Sequence, residues 1–496
     1  MLVDFRPHTR LRGKTPVDLT SAVTPVVAAL SEGTADLARV RVVCDWVQYR
    51  ENFRDVVDVR PILPPPEQGA EGERTATPRR VRTDDVEIAV DVRRSAGVAL
   101  KELTAARLCE DGEDRVYLEG WGAGSASCIW EFNALYWSAL ELWEKVTGQT
   151  YDQARPGGEI DAPNKDAARE LIHELFAVWD GLARSGTLPE QLYVVELGAG
   201  NGGQAKVFLD EFRKLDRAHG REYYRRLHYV MCGYSQHVLD LASETIAGHS
   251  AHVSSFAMDA THPVRLLGFL RYKVFLIRVS NVYGNLPTDE VAQLGGRTYQ
   301  VQTRAYLPAS GAAELAEHVS AGVDQLPTLV HQLLRLGPTL LADAAPAHFA
   351  NVDATVEFWC RIWSLVRLAE RYVPVISLDV YELAPSVSGG MLRPLLESGA
   401  DVRMHVNNGA LASFTDSLML LHPFGKLVCH DLFVTDVQAY RTEFRGPGKY
   451  DGSVVNWVNG PLLAHVGRRK GFEVRYVPFA HRAGGDIITM TAQVTD

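Results

Sequence analysis

Val194-Val195-Glu196-Leu197-Gly198-Ala199-Gly200-Asn201-Gly202-Gly203 reads as a buried strand running into a glycine turn. Leu192 and Tyr193 extend the apolar lead-in, and Gln204 to Phe212 continues in helical periodicity. Strand, tight turn and helix together form the opening unit of a parallel α/β sheet. Glycine lets the backbone turn sharply and lets a ligand approach with no side chain in the way. The helix start adds free N–H groups. Many nucleotide-binding folds use such a turn, so the details decide. Here an acid, Glu196, stands two residues before the first glycine, and the spacing is Gly198-x-Gly200-x-Gly202. A dinucleotide fingerprint would instead be G-x-G-x-x-G, cradling a pyrophosphate.

Outward from this unit, further strands are expected at 227–232, 251–258 and 273–280, and again at 373–378 and 426–433. Helices alternate with them, which implies an α/β, Rossmann-like parallel sheet with helices on both faces. A Gly295-Gly296 turn predicts an inserted hairpin. The stretch 311–372 is strongly helical in pattern. The partition that follows is an N-terminal cap or accessory region (1–155), the first part of the core (156–310), a mostly helical insertion or lid (311–425) and C-terminal strands completing the core (426–496). Residues 61–74, rich in Pro, Gly and Glu, read as a linker. Trp130, Phe132, Tyr136, Trp137 and Trp143 fall in a helical pattern. Core packing is expected of them ahead of a substrate-facing aromatic wall.

The chain has 496 residues, 46% hydrophobic and 23% charged, ordinary for a globular protein. A net charge of -10 argues against binding a nucleic-acid backbone. The basic pieces Arg79-Arg80-Val81-Arg82 and Arg468-Arg469-Lys470 read as solvated surface. Cys44, Cys109, Cys128, Cys232, Cys360 and Cys429 show no C-x-x-C, which fits a reducing compartment and no metal site. The start of the chain lacks the apolar run of a signal peptide, and no stretch approaches the ~18 apolar residues of a membrane span. The expected location is cytoplasmic, with no membrane partner; a homodimer stays open.

The strand tips after the glycine turn carry an ordered series. Cys232-Gly233-Tyr234-Ser235-Gln236 follows the second strand, Met258-Asp259-Ala260 the third, and Ser280-Asn281-Val282-Tyr283-Gly284-Asn285-Leu286-Pro287 the fourth. With Glu196 to Gly202, this series resembles the class I S-adenosylmethionine (SAM) methyltransferases. The resemblance implies SAM across the carboxyl ends of these strands. Glu196 would orient the turn or bind the amino group of the methionine moiety, and Gly198, Ala199, Gly200, Asn201 and Gly202 would lie against the cofactor. An acid is expected to grip the ribose, but none occurs before Asp240, so Ser235 or Gln236 must substitute, or affinity is reduced. Asp259 and Ala260 would meet the adenine, and Ser280 with the residues after it would lie beside the sulfonium and the substrate.

From about Pro156 onward the chain is similar to the MidA-type methyltransferases, related to mitochondrial complex I assembly factors. Gly157 to Pro163 is similar to the family's Gly-Asp-Phe-x-Thr block, and Ser280 to Pro287 resembles its Asn-Glu-Phe-Phe-Asp-Ala-Leu-Pro. Gly446 to Ser453, continuing through Val455 to Val458, resembles its late Gly-x-x-Asp-x-Thr-x-x-Val segment. Both acids of the Asn-Glu-Phe-Phe-Asp block are absent here, as is the ribose acid. The resemblance implies fold and cofactor more than acceptor, which stays open as an N or O nucleophile of a protein, peptide or small molecule.

Methyl transfer from a sulfonium is an in-line displacement, helped by a base when the nucleophile carries a proton. The groups expected near the strand tips are Tyr283, Asn281, His430 and Asp431. His430 is the best base because histidine titrates near neutrality; if it points into the sheet, Asp431 takes the role. The acceptor is expected between the 280–287 loop and Asp431, under a lid from the N-terminal region or the insertion, where Glu382 would suit a cationic acceptor. Two other classes stay open: a catalytically weak or inactive SAM-fold binding or assembly protein, and an NAD(P)-dependent oxidoreductase.

Overall fold

The structure, a computed structural model, describes residues 2–6, 19–32, 37–47, 49, 51–65, 85–108, 114–150, 164–396, 400–442, 446–481 and 486–495. The 157–163 block, Arg79 to Arg82, Cys109 and the linker from 66 onward lie outside the described residues.

Seven strands form the sheet that carries the glycine turn: β1 (Leu192–Leu197), β2 (Leu227–Gly233), β3 (Val253–Ala257), β4 (Val274–Ser280), β5 (Leu421–Asp431), β6 (Phe472–Pro478) and β7 (Ile488–Val494). Their order is β3-β2-β1-β4-β5-β7-β6. All pairings are parallel except those of β7, which runs antiparallel to both β5 and β6. This order, with its single reversed strand, is the class I methyltransferase fold. The central strands are apolar on both sides because both faces are covered; all seven residues of β4 are buried.

Six helices position the site: α1 (Cys128–Ser138), α2 (Lys165–Arg184), α3 (Gly203–Ala218), α4 (Gln236–Thr245), α5 (Asn408–Leu420) and α6 (Gly460–Arg469). Asn164 caps α2 by accepting from the backbone N–H of Asp166 and Ala167, which stops the chain from extending. The α2 stripe of Ile172, Phe176 and Trp179 meets Phe208 and Phe212 of α3 on one face of the sheet. Leu411, Phe414 and Leu418 of α5, with Leu462, Leu463 and Val466 of α6, cover the other.

A second sheet combines strands that precede β1 with strands from the chain between β4 and β5. Its order is Leu2–Arg6, Val40–Asp45, Asp85–Asp91, Val57–Ile62, Arg367–Pro374, Arg297–Pro308, Asp289–Leu294 and Val402–Val406, with Arg115–Tyr117 and Gly122–Ala123 also paired to Arg297–Pro308. The expected hairpin is present: Asp289–Leu294 and Arg297–Pro308 pair antiparallel across Gly295-Gly296, both at positive φ. The partition at 155, 310 and 425 crosses this sheet rather than bounding it. The segment 311–425 is helical through Leu365 and then supplies strands. Those strands are charged inside. Glu370 accepts two hydrogen bonds from Arg403, at 2.8 and 2.9 Å, and pairs with Arg60 at 2.7 Å, all three nearly or fully buried. Such residues satisfy one another only across the folded sheet, so local hydropathy does not mark them as core.

Candidate active site

The turn after β1 is fixed from both sides. The backbone N–H groups of Gly198 and Ala199 donate to the Cys232 carbonyl at 2.9 and 3.1 Å. Gly198, Gly200 and Gly202 all take left-handed angles, with φ of 82°, 54° and 78°. A Cβ on Gly198 would lie 2.5 Å from Cγ2 of Val282, so the turn packs directly on the loop after β4. One on Gly202 would lie 2.9 Å from backbone atoms of Ala242, so this glycine sets how closely α3 approaches α4.

Above the turn lies a cleft. It sits at the carboxyl ends of β1, β2 and β4, where the strand order reverses, the usual place for a ligand in an open α/β sheet. Leu197, Gly198 and Gly200 line its floor, with Gly233, Tyr234 and Ser235 after β2 and Met258 to Thr261 after β3. Ser280, Asn281, Val282 and Asn285 to Pro287 close the far side, and Trp130, Asn133, Ala134 and Trp137 of α1 complete the lining.

Of the residues singled out in the sequence, Gly198, Gly200, Ser235, Asp259, Ala260, Ser280 and Asn281 line this cleft. The others do not, each for a visible reason. Glu196 is buried beneath the turn, where it accepts from the Tyr229 hydroxyl at 2.8 Å and stands 3.4 Å from Arg278; it is placed to orient the turn, not to meet a ligand. Burial pushes its pKa upward despite Arg278. Ala199 packs into the core beside α3. The Asn201 side chain accepts from the Gly203 N–H at the start of α3, and Gly202 is that helix's N-cap. Gln236 is exposed and donates to Asp240.

The catalytic candidates need correction. His430 Nδ1 hydrogen-bonds the Thr489 hydroxyl at 3.0 Å and its ring packs on Phe479, on the β7 side of β5. Burial, with Arg278 and His481 nearby, lowers its pKa to about 4, so it stands neutral. Asp431 does not line the cleft either: its two oxygens accept from the N–H of Gly284 at 3.1 Å and of Leu432 at 2.8 Å. Burial raises its pKa to about 6 against those bonds. Tyr283 is fully buried, with burial pushing its hydroxyl upward. Only Asn281 of the four faces the cleft, held at φ 53° with its N–H donating to the His430 carbonyl at 2.9 Å. Among the described residues its side-chain amide makes no hydrogen bond.

Sequence reasoning ranked core packing ahead of a cleft wall for α1, and the helix does both. Trp130, Ala134 and Trp137 share one helical face, at spacings of four and three, and that face lines the cleft, while Phe132 and Tyr136 turn into the core. The mid-helix Asn133 was the available signal. It donates to the Asn285 carbonyl and accepts from the Val454 N–H, each at 2.9 Å, tying the roof to the loop after β4 and to the late segment Ser453–Val455.

No family model and no curated protein matches the chain. Among solved structures it is similar to a COG1565 superfamily protein from Burkholderia thailandensis bound to S-adenosyl-homocysteine, at 13% identity and a TM-score of 0.42, over 75% of this chain and 88% of that one. The CcbJ methyltransferase from Streptomyces caelestis is similar at 10% identity and a TM-score of 0.30, over 74% and 99% of the two chains. The glycopeptide N-methyltransferase MtfA complexed with SAM is similar at 12% identity and a TM-score of 0.28, over 68% and 96%.

Proposed function

We propose that the chain is a SAM-dependent methyltransferase acting on an N or O nucleophile of a protein, peptide or small molecule. The observation that carries this reading is the cleft at the strand-order reversal, floored by bare glycine backbone and flanked by Asp259 and Ser280. Gly198 and Gly200 leave room for the cofactor against the main chain. Asp259 Oδ1 accepts from the Thr261 N–H at 2.8 Å, which fixes the carboxylate while leaving its second oxygen for the adenine amine. Tyr234, 41% exposed, offers a ring beside the same position. The ribose is the weak point: Gly233 stands where an acid is expected, and the Ser235 hydroxyl already accepts from the Val238 N–H. When bound, SAM supplies an electrophilic methyl group on a sulfonium. The work of the chain is then orientation and water exclusion by Trp130, Trp137 and Leu286, with the Asn281 amide placed to hydrogen-bond the incoming nucleophile.

A second reading, a SAM-fold binding protein without turnover, is favoured by the turning away of His430, Asp431 and Tyr283. The NAD(P) oxidoreductase reading is disfavoured by the antiparallel β7 and the glycine spacing. A thermal-shift comparison of SAM, S-adenosylhomocysteine (SAH), NAD and NADP tests all three, since a ligand that binds only the folded state raises its stability. We expect shifts with SAM and SAH alone, and none in Gly200→Val, whose side chain would occupy the floor of the cleft. A shift with NAD, or an unchanged SAH affinity in a folded Gly200→Val, would overturn the assignment. Methyl transfer to any acceptor would exclude the non-catalytic reading.

A further inference from the structure

The first sheet ends in an open edge. β6 is its last strand, paired on one side with β7. Among the described residues no strand pairs with its other side. Beyond the two ends of that ladder, the Phe479 N–H donates to the Ile487 carbonyl and the Thr495 N–H to the Gly471 carbonyl. Between them the pairing runs without a shift from Phe472 opposite Val494 to Pro478 opposite Ile488. Bonding alternates along an antiparallel strand. The odd-numbered residues of β6 therefore bond β7, and the N–H and C=O groups of Phe472, Val474 and Tyr476 point outward. Pro478, next in that outward series, has no N–H to offer and ends it.

The side chains sort in the same way. Phe472, Val474 and Tyr476 pack against the core that α5 and α6 cover. Glu473 and Arg475 fall on the opposite face, where Arg475 Nε and Nη2 donate to the Glu473 carboxylate, each at 2.8 Å. Both side chains reach solvent, at 39% and 67% exposure.

A strand with outward N–H and C=O groups is a template for another strand. One arrangement suits a second copy of this same strand. With a two-fold axis at Val474, Val474 faces the partner's Val474 and Phe472 faces the partner's Tyr476. All three outward residues then exchange both of their backbone bonds. Each Glu473 faces the partner's Arg475 at the non-hydrogen-bonded positions, where side chains approach most closely. Moving the axis by one residue either way sets Glu473 against the partner's Glu473, or Arg475 against the partner's Arg475. The opposite charges thus select one register, and they select it for a copy of this chain.

We propose that β6 pairs antiparallel with β6 of a second copy, centred on Val474, so that two sheets join across a two-fold axis. β6 lies at the edge remote from β3, whereas the cleft lies over β1, β2 and β4, so both clefts stay open in the dimer. The inference does not depend on the methyltransferase reading. The ladder is short and its rim is exposed, so the dimer is expected to dissociate on dilution.

Sedimentation velocity of the full chain across a range of concentrations tests it. The parent should pass from monomer to dimer as concentration rises. Glu473→Arg sets arginine against arginine twice across the axis, and Arg475→Glu sets glutamate against glutamate twice. Each should weaken the dimer by about tenfold or more. An equimolar mixture of these two variants should dimerise as the parent does, because every arginine then meets a glutamate. The double variant Glu473→Arg/Arg475→Glu should do so alone. Both positions are exposed, so each variant should keep the parent's thermal melt, which is recorded beside it. A parent that stays monomeric at every concentration overturns the inference. So does a dimer that either single reversal leaves intact, or a pair of reversals that the mixture does not rescue.

Discussion

At the residue scale, the glycine turn was legible because a positive φ repeated at alternate positions leaves glycine as the natural choice. Asp259 was legible from its place after a strand. The missing acid at Gly233 was legible too, and it yields a prediction. Gly233→Asp should tighten SAH binding, by hydrogen bonds to a charged acceptor worth roughly 1.5–3 kcal/mol. Its Cβ would lie 3.3 Å from the tip of Leu239, a flexible neighbour. An unchanged calorimetric affinity would mean the ribose is already satisfied. The facing of His430 and Asp431 was not legible, because alternation gives opposite sides but not which side is which. Their burial has opposite consequences with pH. The unfolded chain protonates His430 near its ordinary ~6.5, whereas the native chain resists until about 4. Falling pH therefore costs stability in that window. Asp431 is the reverse: the native chain takes a proton near 6, and the unfolded chain only near ~3.9. Falling pH therefore adds stability between those values. The two contributions offset in the parent. In urea denaturation from pH 7 to 4.5, His430→Gln should gain stability relative to the parent on acidification and Asp431→Asn should lose it, with slopes up to about 1.4 kcal/mol per pH unit. Slopes of the same sign in both variants would refute the assignment.

At the element scale, the strands and helices near the glycine turn follow from local periodicity, but the roof does not. The α1 pattern announces a helix and says nothing of what it covers, because its partners Asn285 and Val454 lie far along the chain. An aromatic helix with one face in the core and one on a cleft has the same composition as one buried all round. Asn133 distinguishes the two. Asn133→Leu keeps the volume roughly and leaves the Asn285 carbonyl and the Val454 N–H buried without their partner. Each such group costs about 1–3 kcal/mol. The expected result is a loss of about 2–4 kcal/mol in urea denaturation, with faster hydrogen exchange at Val454. A variant as stable as the parent would mean that α1 is not pinned by this side chain.

At the scale of the whole molecule, the first sheet was legible, and of the second chiefly the hairpin across Gly295-Gly296. The first has apolar strands covered by helices, the pattern that hydropathy detects. The second hides Arg60, Glu87, Glu370 and Arg403 among its strands, where each charge is answered by a residue from a distant segment. Removing one member leaves buried charge less well answered: without Glu370, Arg60 keeps only Glu87 and Asp58 and Arg403 keeps Glu290. Glu370→Ala strips Arg60 and Arg403 of a shared partner and should cost about 3–5 kcal/mol, read as a fall in the urea midpoint; a loss below about 1 kcal/mol would mean that the network is open to water. The same sheet sets a condition on synthesis. The strand Val57–Ile62 is completed by Arg367–Pro374, with Ile62 opposite Tyr372. At about 5–20 residues per second a ribosome needs roughly 15–60 s to make the intervening chain. During that wait the N-terminal strands can pair among themselves, but Val57–Ile62 remains an open edge, the kind of surface that recruits other chains. Arg60 and Asp58 on that edge keep it hydrated until Glu370 arrives, so the charges that look misplaced in the finished interior guard the nascent one.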